Sequence, residues 1–186
     1  LDSAHKQILY LGQMVNDLST LSRAQRGLYM NDEDIDINSF MTSLYNKYVD
    51  EAKARKLRMV VNINVKGKVT VPSMVIEEIM QNLITNAIKY TDKGGVTIGV
   101  EPIKGDKGHA KFYVKDTGIG ISKSDQEHIF QRFWRSEDYR TRQTNGTGLG
   151  LHVVEQLATK IGARVNVDSE LNVGSTFSIV LPVSHE

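Results

Sequence analysis

The chain has 186 residues, with 23 Lys and Arg against 22 Asp and Glu, five His and no Cys, for a net charge of +1. That length, with 40% hydrophobic residues, suffices for one sizeable core plus an appendage, so one domain is the default rather than two. The near-neutral balance without a basic stripe gives no electrostatic case for nucleic acid, and the lack of Cys excludes disulfides, zinc-thiolate sites and thiol nucleophiles and suits a reducing compartment.

Residues 1 to 26 place Leu1, Ala4, Ile8, Leu11, Val15 and Leu18 at alternating three-and-four spacing, which predicts one helix with a narrow coiled-coil seam. A lone amphipathic helix cannot bury its own stripe, so the seam implies a partner helix. Neither this stretch nor any other approaches the roughly 18 consecutive apolar residues of a bilayer span, and no basic-then-apolar signal pattern opens the chain, so it is expected to be soluble. Gly27 stops the helix, and Asn31-Asp-Glu-Asp34 reads as an acidic, turn-prone linker.

Ile35 to Ile37 then reads as a short strand, with Asn38 or Ser39 capping a helix to about Arg55. Leu57 to Val65 and Lys68 to Val71 are expected to pair as a hairpin across Lys66-Gly67. Pro72 opens a helix to Tyr90, ended by Asp92-Lys-Gly-Gly95. Val96 to Val100 and Ala110 to Lys115 form a second strand pair, followed by a short helix at about 123 to 131 and a polar stretch from Arg135 to Asn145 expected to be mobile. A helix from Leu149 to Ile161 and strands at about 164 to 168 and 175 to 181 complete the chain. Strands and helices do not alternate strictly, so the fold class is α+β, a mixed, mainly antiparallel sheet covered by helices in two layers.

Three short runs carry the chemistry. Asn82, Asn86 and Lys89 fall at i, i+4 and i+7, so two carboxamides and an ammonium share one helix face. Such a face suits a hard cation and phosphates, and equally suits plain solvation. Asp116 ends an alternating strand before Gly118 and Gly120, where a carboxylate can accept from a base's exocyclic amine or simply close an Asx turn. Gly146, Gly148 and Gly150 open a helix whose first amides can hold phosphate oxygens. The Gly-x-Gly-x-Gly spacing without a preceding strand is not a dinucleotide fingerprint, and there is no P-loop.

Taken singly these runs are ordinary; in this order they resemble the boxes of sensor histidine kinases. The run Asn82-Leu-Ile-Thr-Asn86-Ala-Ile-Lys89-Tyr90 is similar to the asparagine box, Asp116-Thr-Gly118-Ile-Gly120 to the first glycine box, Ile129-Phe130-Gln-Arg-Phe133 to the phenylalanine box, and Gly146-Thr-Gly148-Leu-Gly150-Leu151 to the second glycine box. Gly174-Ser-Thr176-Phe177 resembles the last glycine box, so the likeness covers roughly residues 36 to 183. It implies a Bergerat-type ATP-binding fold over 31–186, preceded over 1–30 by the second helix of a dimerisation and phosphoacceptor domain.

The resemblance also implies roles. Asn86 would ligate Mg2+, with Asn82 and Thr147 as further candidates. Lys89 would contact phosphate and Tyr90 would stack on the nucleotide. Asp116 would specify adenine, with Thr176 at the same edge and Gly118, Gly120 and Ile121 beside the ring. Phe130 and Phe133 would hinge an ATP lid whose Arg132 and Arg135, and less directly Arg140 and Arg142, reach phosphates; Thr147, Leu149 and Leu151 complete the loop with the three glycines. ATP-hydrolysing relatives such as gyrase and the Hsp90 chaperones carry a Glu where this chain has Asn82, and a carboxamide cannot take a proton from water.

The implied function is transfer of the ATP γ-phosphoryl to a His of the dimerisation domain, for relay to the receiver domain of a response regulator. The implied protein is a homodimer and cytoplasmic, with the full-length form a candidate for membrane anchoring. No His-acid-x-x-x-Pro box is present: His5 is followed by Lys6-Gln-Ile, and His5, His109, His128 and His152 read as surface or interface residues. The fragment is thus expected to bind Mg-ATP without phosphorylating itself. The alternatives are a serine kinase of the anti-sigma-factor type and a catalytically silent ATP-binding module.

Overall fold

The computed structural model describes residues 2–27, 31–142, 144 and 146–184. In chain order the elements are α1 (Asp2–Gln25), β1 (Glu33–Asp36), α2 (Ile37–Ala54), β2 (Arg58–Ile63), β3 (Lys68–Val71), α3 (Ser73–Lys89), β4 (Gly95–Ile103), β5 (Asp106–Asp116), the single turns α4 (Lys123–Gln126) and α5 (Tyr139–Arg142), α6 (Gly150–Lys160), β6 (Val165–Glu170) and β7 (Gly174–Ser184). One sheet runs β1-β3-β7-β5-β4-β2, with β6 also on β7. Only β2 and β4 pair in parallel, so the sheet is mixed and mainly antiparallel, as the irregular alternation of elements predicts.

The period of two along the central strands sets which side chains the helices cover. Ala110, Phe112, Val114 and Asp116 of β5 are buried, while Lys111, Tyr113 and Lys115 between them are not. Ile98 and Val100 of β4 and Ile179 and Leu181 of β7 join this face. It packs with Ile76, Ile79, Met80, Leu83 and Ile84 of α3, Met41 and Leu44 of α2 and Val153, Val154 and Leu157 of α6. The register therefore delivers Asp116, the last residue of a core-facing row, to the end of the helix layer.

Four local expectations are corrected. Strands β2 and β3 do not form a hairpin: β2 pairs with β4, whereas β3 pairs with β1 and β7. A tight hairpin turn needs left-handed backbone at both central residues or at the first; of Lys66 and Gly67 only the second takes it, at φ +119°. The cap of α2 is Asp36, whose carboxylate accepts from Ser39 N at 2.7 Å. The helix expected over 123 to 131 closes after one turn, at Gln126. In the polar stretch after Arg135, residues 139–142 form the turn α5, although that stretch shows no apolar period.

On α1 the expected seam is the exposed face. Ile8, Leu11, Val15 and Leu18 stand open, while Asp17, Thr20, Leu21 and Ala24 on the other side are buried where α1 packs on α6. Leu1 lies outside the described residues.

Candidate functional site

Between α3, the ends of β5 and β7, the start of α6 and the segment 129–148 lies a cavity of about 380 Å³. From α3 it takes Glu78, Asn82, Asn86 and Lys89, one turn apart along a single stripe. Asn82 Nδ2 donates to the Glu78 carbonyl at 2.9 Å and to Glu78 Oε1 at 3.1 Å, leaving Oδ1 as the free oxygen. That oxygen faces the start of α6: a Cβ placed on Gly150 would meet it at 3.1 Å. Burial pushes the Glu78 carboxyl up, against the hydrogen bond from Asn82.

The opposite side of this end is cationic. Lys89 Nζ sits 4.8 Å above the centre of the Tyr90 ring. Burial, and then the nearby Arg135 charge, depress the Lys89 ammonium to about 8. Arg135 donates to the carbonyls of Thr141 and Thr144, while its Nε is buried without a partner. Two cations thus share one cavity, and no carboxylate forms an ion pair with either among the described residues.

The glycine run lies against these groups. Gly148 takes φ +71°, and its missing side chain lets the loop pass beneath Phe133, whose N donates to the Gly148 carbonyl at 2.9 Å. Leu149 caps α6 without a side-chain hydrogen bond, so the first amides of α6 retain their donors. Thr147 Oγ1 accepts from Leu149 N at 3.1 Å and donates to Asp17 Oδ2 of α1 at 2.9 Å. Gln13 Nε2 donates to the other oxygen of Asp17 at 2.7 Å.

At the far end, Asp116 Oδ1 accepts from Gly118 N at 2.8 Å and from Ser175 N at 3.3 Å, leaving Oδ2 for an incoming donor. Burial raises its carboxyl, and the two backbone donors pull it back down. Ile119, Ile121, Ile129, Leu171 and Phe177 supply apolar wall to the same cavity. The arrangement is an apolar slot with one buried acceptor, opening onto a polar end with free amide oxygens and two cations. It suits a flat heterocycle carrying a polyanion.

Of the residues singled out from the sequence, the cavity gathers Asn82, Asn86, Lys89, Tyr90, Asp116, Gly120, Ile121, Arg135, Gly146, Thr147, Gly148, Gly150 and Leu151. Gly118, Phe130, Arg132, Phe133, Leu149 and Thr176 are not in its wall. Thr176 pairs with Lys115 and Asp168, on the strand face opposite Asp116, and Ser175 and Phe177 line the cavity instead. Arg132 bonds His152, and Arg140 is held by Asp138 and by Asn172 Oδ1 at 2.8 Å. The side chain of Arg142 lies outside the described residues. His152 is buried rather than at a surface, bonded at both ring nitrogens.

Sequence reasoning missed Gln13 and Asp17, because a seam-based reading of α1 looks only at its apolar side. It missed Glu78 as well, although the same i, i+4 step leads from Asn86 through Asn82 to it.

A family model for histidine kinase-, DNA gyrase B- and HSP90-like ATPases matches residues 72–185. The aerobic respiration control sensor protein ArcB of Escherichia coli strain K12 is 32% identical over 97% of this chain and 24% of its own length. Sensor histidine kinase RppB of Synechocystis is 34% identical over 98% of this chain and 40% of its own. Full-length ShkA, solved in complex with AMPPNP, shares the fold at a TM-score of 0.81 and 24% identity, over 99% of this chain and 37% of that one. The chain thus spans between about a quarter and two fifths of the curated relatives named. No described helix is long and apolar enough to cross a membrane.

Proposed function

Because this chain belongs to the histidine kinase-, DNA gyrase B- and HSP90-like ATPase family, we propose that its cavity binds ATP with Mg2+ and that the whole protein is a sensor histidine kinase. In the proposed reaction the bond between the γ-phosphorus and its bridging oxygen breaks, a phosphorus–nitrogen bond forms to an imidazole, and ADP leaves. Residues 31–186 would be the catalytic unit and residues 1–30 the second helix of the dimerisation and phosphoacceptor domain. The phosphohistidine would pass its group to a response regulator.

The observation that carries the reading is the pairing of Lys89 with Arg135. Two cations in one cavity, one depressed to about 8 and the other with a buried unpaired Nε, are stabilised by a ligand that brings several negative charges. The buried Asp116 at the other end supports adenine, whose exocyclic amine supplies the donor that Oδ2 lacks.

The donor set also fits the metal. Asn82 Oδ1 is unengaged, and among the described residues no group of three or more His, Asp or Glu could cage an ion. That suits a hard cation held partly by phosphate and water, with Asn86, Asn82 and Thr147 as the protein's side. When bound, Mg2+ would neutralise charge on the phosphates. The chain's own residues would hold and orient: Lys89, Arg135 and the amides of α6 on the phosphates, Asp116 on the base.

The residue one turn before Asn86 is Asn82, a carboxamide that cannot accept a proton from water, and the Glu78 carboxylate a further turn away is held by the Asn82 amide, which favours transfer to a side chain over hydrolysis. These 186 residues hold no His-acid-x-x-x-Pro run. On this reading the acceptor would come from outside them, and the chain alone would bind nucleotide without labelling itself. The exposed stripe Ile8, Leu11, Val15 and Leu18 is what a dimer-forming helix presents.

Incubation with γ-labelled ATP and a separately made helical hairpin carrying a His tests this. Acid-labile, base-stable label on the hairpin and none on the chain is expected. Acid-stable label on Ser would overturn the histidine-kinase assignment.

A further inference from the structure

The phosphate end of the cavity carries two carboxylates as well as two cations, and the carboxylates come from different elements. Asp17 of α1 is 1% exposed and reaches the glycine loop through Thr147 Oγ1. Glu78 of α3 holds the Asn82 amide, whose free oxygen faces Gly150. Among the described residues neither carboxylate forms an ion pair, although the Arg23 charge partly offsets Glu78. Asp138, also in the wall, is neutralised by Arg140 at 2.6 Å, and Asp125 accepts from Ser136 Oγ at 2.6 Å and among the described residues has no link to the glycine loop or to Asn82 like those of Asp17 and Glu78.

We propose that Asp17 and Glu78 are specificity determinants that admit a triphosphate only in its metal-charged form. This rests on reading the cavity as a Mg-ATP site. A bare triphosphate carries about four negative charges at neutral pH, and a divalent cation removes about two. Two carboxylates with little solvent around them repel the bare form and attract the cation. Lys89 and Arg135 attract both forms, so the carboxylates supply the difference. Since Asp17 belongs to α1, full discrimination exists only while α1 is seated on α6. Thr147 is the contact through which a helix outside the nucleotide fold acts on the loop.

The test is calorimetric titration of the 186-residue chain with ATP, in excess EDTA and in excess Mg2+, beside Asp17→Asn and Glu78→Gln. Both substitutions are near-isosteric, and Asp17→Asn keeps an oxygen for Thr147. The ratio of the two affinities should fall on the order of tenfold in each variant, chiefly through tighter binding of metal-free ATP. A structural role alone would weaken both forms together and leave the ratio unmoved. An unmoved ratio in both variants, with ATP still bound, overturns this inference and leaves the ATP site standing. No binding of ATP by the unmutated chain in either buffer overturns the ATP reading and this inference with it.

Discussion

Arg132 Nε donates to His152 Nε2 at 2.9 Å, and the other nitrogen of that imidazole meets the Phe130 carbonyl at 3.0 Å. Since an arginine cannot accept, Nε2 is the bare nitrogen, and Nδ1 carries the proton that Phe130 receives. One neutral histidine therefore ties Phe130 and Arg132 to α6. His152→Leu fills similar volume but leaves Phe130 without its donor, and the expected loss is about 1 to 3 kcal/mol in denaturant unfolding. An unchanged midpoint would show the bridge to be inert.

Lys89 makes nucleotide binding proton-linked. Its ammonium falls from 10.5 to about 8 in the folded chain, so the unfolded chain holds more protons between those values and stability rises with pH across that window. Lys89→Met should abolish the rise. A bound polyanion restores the charge, so ATP binding near pH 8 should take up about half a proton, read from the dependence of calorimetric heat on buffer ionisation enthalpy.

The crossing of the glycine loop under Phe133 has no room for a methyl group. A Cβ on Gly148 would stand 2.7 Å from the Phe133 carbonyl carbon and 2.9 Å from the Trp134 carbonyl oxygen, at φ +71°. Gly148→Ala should cost at least about 1 kcal/mol of stability and weaken ATP binding. Gly12→Ala on α1, where nothing lies within 4 Å, should instead stabilise by about 0.5 to 1 kcal/mol.

Arg140 clips the segment before the glycine loop to the turn between β6 and β7, through Asn172 Oδ1. Asn172 has φ +66°, so Asn172→Gly removes the oxygen while keeping the backbone comfortable. ATP should dissociate about fivefold faster in stopped-flow displacement, the size expected for one exposed charge-assisted hydrogen bond. An unchanged rate would show that the Arg140–Asn172 contact does not hold the segment over bound nucleotide.

What the sequence shows of this molecule divides along physical lines. Periodicity locates α3 and α6 to within a residue, because each buries a stripe whose period is written in its own residues, whereas β5 begins at Asp106 rather than at Ala110, since its first four residues carry no apolar alternation. Pairing partners are not local: β2 alternates equally well beside β3 or β4, and the choice rests on a turn that Lys66-Gly67 cannot make tight. The site divides likewise. Asn82, Asn86 and Lys89 are fixed relative to one another by helix geometry alone, whereas the choice between Ser175 and Thr176 depends on the register of β7 against β5, where one residue flips the face. Asp17 was hidden because its partner Thr147 lies far along the chain, with nothing in α1 to mark it.

The most direct test of the ATP site is calorimetric titration of the chain and of Asp116→Asn with ATP in Mg2+. The substitution leaves an oxygen for Gly118 and Ser175 but replaces Oδ2, the buried acceptor left open to an incoming donor, with an amide. Saturable binding to the unmutated chain, weakened at least about tenfold in Asp116→Asn, is the predicted result. Equal affinity in the two proteins, or no binding by the unmutated chain, would contradict it.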